Sequence, residues 1–305
     1  MNNVIRIGTR DSELALWQAN HVKDLLEKNG YQAEIVPVKS DGDLVLDKPL
    51  HELGITGVFT KTLDVAMLNG TVDIAVHSMK DVPTKLPKGI VKAAVLPRAN
   101  TNDILLHKDK PKEFDKYATI ATGSLRRKAQ WLHKYPKHTL VDLRGNVNTR
   151  LEKLKNNEWD GAIFAAAGLE RINLKPKNHT VLDWMIPAPA QGAMLVVAME
   201  ADQNTRKALE TLNDYETDIC TTIEREFLST LEGGCTAPIG AIATIDIDYV
   251  TFVGGLFSLD GKHKVTTEHR VLIENCEGLG SVCAKEILHQ GGEEIMKKIK
   301  KELSV

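Results

Sequence analysis

Short apolar runs alternate with amphipathic helical stripes along most of this chain, and that alternation restricts its fold more than any other feature. Residues 4–9 alternate apolar side chains and end at Arg10-Asp11-Ser12, where a capping residue precedes a stripe of Leu14, Trp17, Val22, Leu25 and Leu26. The order is strand, tight turn, helix. Residues 34–38 predict a second strand, 61–69 a helix stopped by Gly70, and 72–77 a buried strand. A second round follows a proline-rich stretch (Pro83, Pro87, Pro97), with strands over 119–122, 140–143 and 161–166 and helices over 124–134 and 147–157. Strands joined by helices favour a mainly parallel sheet covered on both faces, so two α/β units are expected. Past Pro187-Ala188-Pro189, an apolar strand over 193–199 and a helix near 205–212 fit either unit. From Ile242 the period becomes two, over 242–247, 249–257 and 264–273, before a helix over 281–290. This predicts an α+β tail with an antiparallel sheet.

Composition narrows the class. With 42% hydrophobic and 26% charged residues in 305, the chain can bury a core, which excludes disorder. No apolar run approaches the ~18 residues needed to cross a bilayer, and the start lacks a signal peptide's basic head and apolar segment. A soluble, cytoplasmic protein without membrane partners is expected. Four cysteines without a C-x-x-C pair give neither a disulfide framework nor a zinc-ligand spacing, so no metal site is expected. The formal net charge is -2, yet residues 116–155 hold ten Lys/Arg against Asp142 and Glu152, a local +8 that leaves -10 elsewhere. An anion is expected there. Nucleic acid is disfavoured, because aromatic stacking residues do not accompany the charge.

Three predicted strand-to-helix turns carry arginine: Gly8 to Ser12, Thr122 to Arg127, and Leu143 to Arg150. In a parallel sheet such turns share the carboxyl edge, where helix N-terminal N–H groups bind small anions. An arginine there opposes the helix dipole, so its repetition, with Arg171 after a fourth strand, points to a shared ligand with several carboxylates or phosphates rather than a solvated basic face. Neither G-x-x-x-x-G-K-[ST] nor G-x-G-x-x-G is present, which disfavours a nucleotide. Lys80 and Asp81 follow a buried strand. On their own they fit two roles equally: Asp81 steadying a developing cation, or capping the turn before Pro83. Cys235 follows Gly233-Gly234 on a predicted loop with no His or Asn partner in spacing, so residue chemistry alone leaves it a plain cysteine.

Six ordered segments are similar to those of the hydroxymethylbilane synthase (porphobilinogen deaminase) family: His77-Ser-Met-Lys-Asp-Val-Pro83, Gly123-Ser-Leu-Arg-Arg127, Leu143-Arg-Gly-Asn-Val-Asn-Thr-Arg150, Ala167-Gly-Leu-Glu-Arg171, Pro189-Ala-Gln-Gly192 and Glu232-Gly-Gly-Cys235. The likeness runs from Arg6 to beyond Pro238. It implies two doubly wound domains resembling periplasmic binding proteins plus the α+β tail. The domains would span 1–98 with 193–213, 99–192, and 214–305. It further implies a transferase of tetrapyrrole and heme biosynthesis that joins four porphobilinogens head to tail with loss of ammonia and releases the linear product with water. A dipyrromethane cofactor would be carried on Cys235 through a thioether. The same likeness implies Asp81 as the catalytic acid, cofactor contacts from Ser78, Lys80, Asp81, Thr122, Ser124, Arg126, Arg127, Arg144, Gly145 and Arg150, and substrate contacts from Arg10, Ser12, Phe59, Arg144, Arg150, Arg171 and Gln191. A monomer is expected. One departure concerns residues 51–61, where the family often has two lysines and this chain has Glu52 and Thr56; a loop over a polyanion should be cationic.

Overall fold

The computed structural model describes residues 4–39, 60–107, 117–231 and 237–303. They fall into two compact units: residues up to 99 with 192–219, and 100–191 with the residues from 220 on. The chain begins with β1 (Ile5–Thr9), α1 (Glu13–Lys28), β2 (Ala33–Pro37), α2 (Lys61–Leu68), β3 (Ile74–Ser78) and β4 (Ile90–Val95). Next come β5 (Asp103–His107), β6 (Thr119–Ala121), α3 (Leu125–Lys134), β7 (Thr139–Val141), α4 (Val147–Asn156), β8 (Gly161–Ala165), α5 (Ala166–Arg171) and β9 (His179–Val181). Then β10 (Met194–Met199), α6 (Gln203–Glu210) and α7 (Tyr215–Thr230) lead to β11 (Ile239–Asp246), β12 (Tyr249–Phe257), β13 (Lys264–Leu272), α8 (Leu279–Ile287) and α9 (Glu293–Leu303).

The first unit is a five-stranded sheet in the order β2-β1-β3-β10-β4. Strand alternation sends Ile5, Ile7, Ile74, Val76, Val196 and Ala198 to one face, where Ala19, Val22 and Leu26 of α1 and Leu209 of α6 cover them. On the other face, Leu63 of α2 lies against Gly8. The second unit has a sheet in the order β7-β6-β8-β5-β9, and here the two-residue period can be followed face by face. Ile104, Leu106, Ala121, Ala162 and Phe164 meet Leu143, Leu154 and Leu169. Their neighbours Leu105, Ile120 and Ile163 point the other way, onto Trp131, Leu182 and Met185. Each large side chain fully buried in this way contributes ~1.5 to 3 kcal/mol, which is why such short strands hold.

Both sheets are mainly parallel, as predicted above, with one strand reversed in each: β10 in the first and β5 in the second. β1 is parallel to β2 and β3, but β10 runs antiparallel to β3 and β4. β6 is parallel to β7 and β8, but β5 runs antiparallel to β8 and β9. A strand buried on both faces reads as an apolar run in either direction, so hydrophobicity does not encode its polarity. The C-terminal region of the second unit has the antiparallel sheet β11-β12-β13, in unbroken register from Ile239 opposite Leu256 and from Tyr249 opposite Leu272. Its helices continue past the predicted end at residue 290: Gly291 takes φ +103 and α9 follows, burying Ile295, Met296 and Ile299.

Candidate active site

In the first unit, β1 and β3 are adjacent and parallel, so the segments leaving their carboxyl ends lie at one sheet edge. After β1 come Arg10 and Ser12; the Ser12 hydroxyl accepts a hydrogen bond from the Ala15 N–H at 3.4 Å and caps α1. After β3 a single 3₁₀ turn, Met79–Asp81, presents Lys80 and Asp81 before Pro83 ends it. Arg10, Ser12, Gln18, His77, Ser78 and Asp81 line a cavity of about 80 Å³. That is several times the ~10 to 15 Å³ that one water requires, enough for a carboxylate group. Asp81 is exposed, so an ion pair there is worth ~1 kcal/mol in open water and ~4 kcal/mol once a bound ligand lowers the effective dielectric to about 20.

Two residues of this cavity were missed from sequence. Gln18 is 3% exposed and its side-chain amide donates to the Ser78 hydroxyl at 3.0 Å, fixing that hydroxyl. It stands at the fourth position after Leu14 and the fourth before Val22, a polar residue within an apolar stripe, which was the available signal. His77 is buried, and burial, with help from the positive charge of Arg10, pushes its pKa down to about 4. It is therefore neutral near pH 7 and faces the cavity as an uncharged hydrogen-bonding group.

In the second unit, β7, β6 and β8 are neighbouring parallel strands, and the segments after them carry the remaining arginines at one edge. Ser124 caps α3 through the Arg127 N–H, and Asn146 caps α4 through the Thr149 N–H at 2.9 Å. The two turns touch: a Cβ on Gly123 would stand 2.5 Å from the Leu143 carbonyl oxygen, so only glycine fits there. Thr122, Arg126, Arg127 and Arg144 are all buried. Gly145, at φ +110, presents its carbonyl oxygen to the Arg150 Nε at 2.7 Å. Arg171 ends α5, its pKa lowered to about 10 by burial, and it remains charged.

A third missed residue explains why two arginines are buried side by side. Asp103, at the start of β5, is fully buried. Its Oδ1 accepts from Arg127 Nε at 3.0 Å, Arg127 Nη2 at 2.7 Å and Gln191 Nε2 at 3.0 Å, while Oδ2 faces Arg126 Nη1 at 2.7 Å. Gln191 thereby joins this cluster. Arg127 Nη1 also donates to the Ile163 carbonyl at 3.0 Å, and Arg126 Nη1 to that of Ile186 at 2.8 Å. Two guanidiniums share one carboxylate, leaving a positive charge in excess; burial lowers the pKa of Arg126, with Asp103 pulling it back up. Buried Arg126 Nε has no hydrogen-bond partner among the described residues. An unmet donor, excess buried charge and two adjoining helix N-termini fit a ligand rich in carboxylates. Phe59 and Cys235, with Glu52 and Thr56, lie outside the described residues.

Residues 5–207 match the family described as porphobilinogen deaminase, dipyromethane cofactor binding domain, and residues 219–289 match its C-terminal domain. The chain belongs to the porphobilinogen deaminase family. Porphobilinogen deaminase of Campylobacter jejuni is 42% identical over 301 residues, covering 96% of this chain and 97% of that one. The Chlorobium phaeobacteroides protein of the same name is 37% identical, covering 99% of both chains. Among solved structures, a periplasmic substrate-binding protein of an ABC transporter from Coxiella burnetii superimposes with a TM-score of 0.45 at 14% identity, covering 70% of this chain and 94% of that one. An ancestral cationic amino acid solute-binding protein gives 0.43 at 17%, covering 68% of this chain and 87% of that one. The arginine-bearing turns of both units lie within the residues matched by the cofactor-binding domain.

Proposed function

We propose that this chain is a hydroxymethylbilane synthase, a transferase that condenses four porphobilinogens head to tail on a dipyrromethane cofactor and releases the linear tetrapyrrole by hydrolysis. Arg10 and Asp81 on one small cavity, beside neutral His77 and the fixed Ser78 hydroxyl, carry the assignment of the reacting centre to the first unit. Porphobilinogen bears an acetate and a propionate. Arg10 and Ser12 hold one of these carboxylates, with Arg171, Phe59 and Gln191 as further substrate contacts. Asp81 faces the methylene carbon that becomes cationic as the amine leaves as ammonia. Its carboxylate favours that charge by ~1 to 4 kcal/mol and accepts a pyrrole N–H, which orients the ring for attack. His77 adds no second cation to a centre that must stabilise one.

The cofactor supplies, when bound, a covalent chain end that carries carboxylates and receives each new pyrrole. Cys235 holds it by a thioether, and Ser78, Lys80, Thr122, Ser124, Arg126, Arg127, Arg144, Gly145 and Arg150 bind its acidic arms. The donors of Arg126 and the helix starts at Ser124 and Asn146 suit that role. The three domains follow the boundaries given above. The enzyme works as a cytoplasmic monomer without a nucleic-acid partner, in keeping with its net charge of -2. Among the described residues no helix is long and apolar enough to cross a membrane.

Asp81→Asn tests the central role. It keeps the side-chain shape and removes the charge, so kcat should fall by about five- to a thousandfold, the rate equivalent of ~1 to 4 kcal/mol, while the covalent adduct remains detectable by mass. Wild-type kcat in an adduct-bearing Asp81→Asn enzyme rules the role out.

A further inference from the structure

Within the second unit, Ile186 is held between α3 and the C-terminal sheet. Its N–H donates to the Gln130 side-chain oxygen at 2.8 Å, and its carbonyl accepts from the Gln130 amide at 2.9 Å and from Arg126 Nη1 at 2.8 Å. The next residue, Pro187, offers its carbonyl to the Ala241 N–H of β11 at 3.0 Å. On its other side the Ile186 side chain presses on two glycines of the sheet. A Cβ on Gly240 would come within 2.9 Å of Ile186 Cβ and Cγ2, and one on Gly255 within 2.9 Å of Ile186 Cδ1. Gly240 lies on β11 and Gly255 on β12, paired in register. β11 begins four residues after Cys235. One residue therefore touches, at once, the guanidinium with the unmet buried donor and the strand into which the cysteine segment leads.

We infer that Ile186, clamped by Gln130, is a positioning residue for the assembly reaction: it sets the distance between the Arg126 guanidinium and the strand following Cys235. The inference rests on the reading of Arg126 as a ligand of cofactor carboxylates and of Cys235 as its anchor. An amide that binds both the N–H and the carbonyl of one residue fixes the two peptide units flanking its Cα, and the two bare glycines let the sheet approach to van der Waals distance. The consequence is rate rather than fold. A displacement of ~1 Å between groups that must align typically costs ~100-fold in rate without unfolding the protein.

The experiment is a two-residue cycle on the full-length, cofactor-bearing enzyme. Gly255→Ala crowds Ile186 Cδ1, Phe257 Cε2 and Thr266 Cγ2, at 2.9, 3.1 and 3.3 Å; Ile186→Val removes the nearest of these atoms, so the double variant relieves the tightest contact. For each, kcat and KM for porphobilinogen are measured, with the mass distribution of covalent adducts after a limiting addition of porphobilinogen, and the melting temperature as control. Gly255→Ala should lower kcat by about 10- to 100-fold with KM within about threefold, and should skew the adducts toward early stages. The double variant should recover part of that loss, with kcat at least about threefold above that of Gly255→Ala. Should Gly255→Ala not fold, Gln130→Met, which keeps the length and removes both amide contacts, is expected to give the same loss of kcat and the same skew. Unchanged kcat and adduct distribution in the folded variants, or no recovery in the double variant, overturns the inference. The wild type serves as the separate control: absence of adduct and turnover there overturns the functional reading, and this inference with it.

Discussion

Replacing Asp103 by Asn removes one negative charge from the most buried ionic cluster described. Asp103 is fully buried, and Arg126 and Arg127 are 4% and 6% exposed, so water cannot replace the lost partner. Three donors reach Oδ1 and one guanidinium nitrogen faces Oδ2, at 2.7 to 3.0 Å. Asn keeps one acceptor, and its NH₂ must face a guanidinium. Breaking a buried pair from one side typically costs ~3 to 5 kcal/mol, because the remaining charge stays desolvated, and here two charges remain. We expect a loss of ~4 kcal/mol, a large part of the ~5 to 15 kcal/mol that a domain of this size commonly has. At ~2 to 4 °C per kcal/mol, the transition of the second unit should drop by about 8 to 16 °C. Calorimetry and urea titration of wild type, Asp103→Asn, Arg127→Met and the double variant provide the assay. The double variant should lose at least ~1 kcal/mol less than the sum of the singles, since removing Arg127 relieves the excess charge. A loss under ~1 kcal/mol for Asp103→Asn, the scale of an exposed ion pair, would show that the cluster is hydrated and refute the reasoning.

Two further outcomes follow from single residues. His77 has a folded pKa of about 4 against an ordinary 6.5, so the unfolded chain takes up its proton first as the pH falls; stability is complete above about 6.5 and drops by ~3 kcal/mol on the way to 4. His77→Asn should flatten that interval in a urea-midpoint titration, and an unchanged slope would mean that the imidazole is not buried uncharged. Ile247 sits at φ +55 and 85% exposed in the two-residue turn between β11 and β12, where a β-branched side chain is strained and gains no packing. Ile247→Gly should raise stability by ~1 kcal/mol in the same assay; a lower urea midpoint would contradict the strain.

Much of the fold was legible because its periods are strong. α3, α4 and β12 follow the patterns at residues 124–134, 147–157 and 249–257 to within a residue or so, with Ser124 and Asn146 capping as their chemistry suggests. The reversal of one strand in each sheet was not legible, since the apolar runs of β10 and β5 carry no polarity. Nor was α9: Gly291-Gly292 reads as a stop, yet a glycine at positive φ kinks the path and the stripe Ile295, Met296, Ile299 resumes. In the site, the arginine turns announced themselves through charge that local helix energetics do not explain. Asp103 did not, because its partners lie 24 and 88 residues away in sequence and a lone aspartate before an apolar run looks like a turn residue. Gln18 and His77 carried weak signals, a polar break in an apolar stripe and a histidine at a strand's end.

A covalent polycarboxylate carried by Cys235 is the centre of the proposed function. Intact mass spectrometry of the denatured, reduced wild-type protein measures it directly, because a thioether survives both treatments. The predicted result is a mass above 33.7 kDa, with peptide mapping to the segment containing Cys235 and a ladder of one-pyrrole additions after porphobilinogen is supplied. Cys235→Ala should lack both, while Cys220→Ala, Cys276→Ala and Cys283→Ala should keep them. An unmodified mass from active enzyme, or an adduct mapped to another cysteine, would contradict the account.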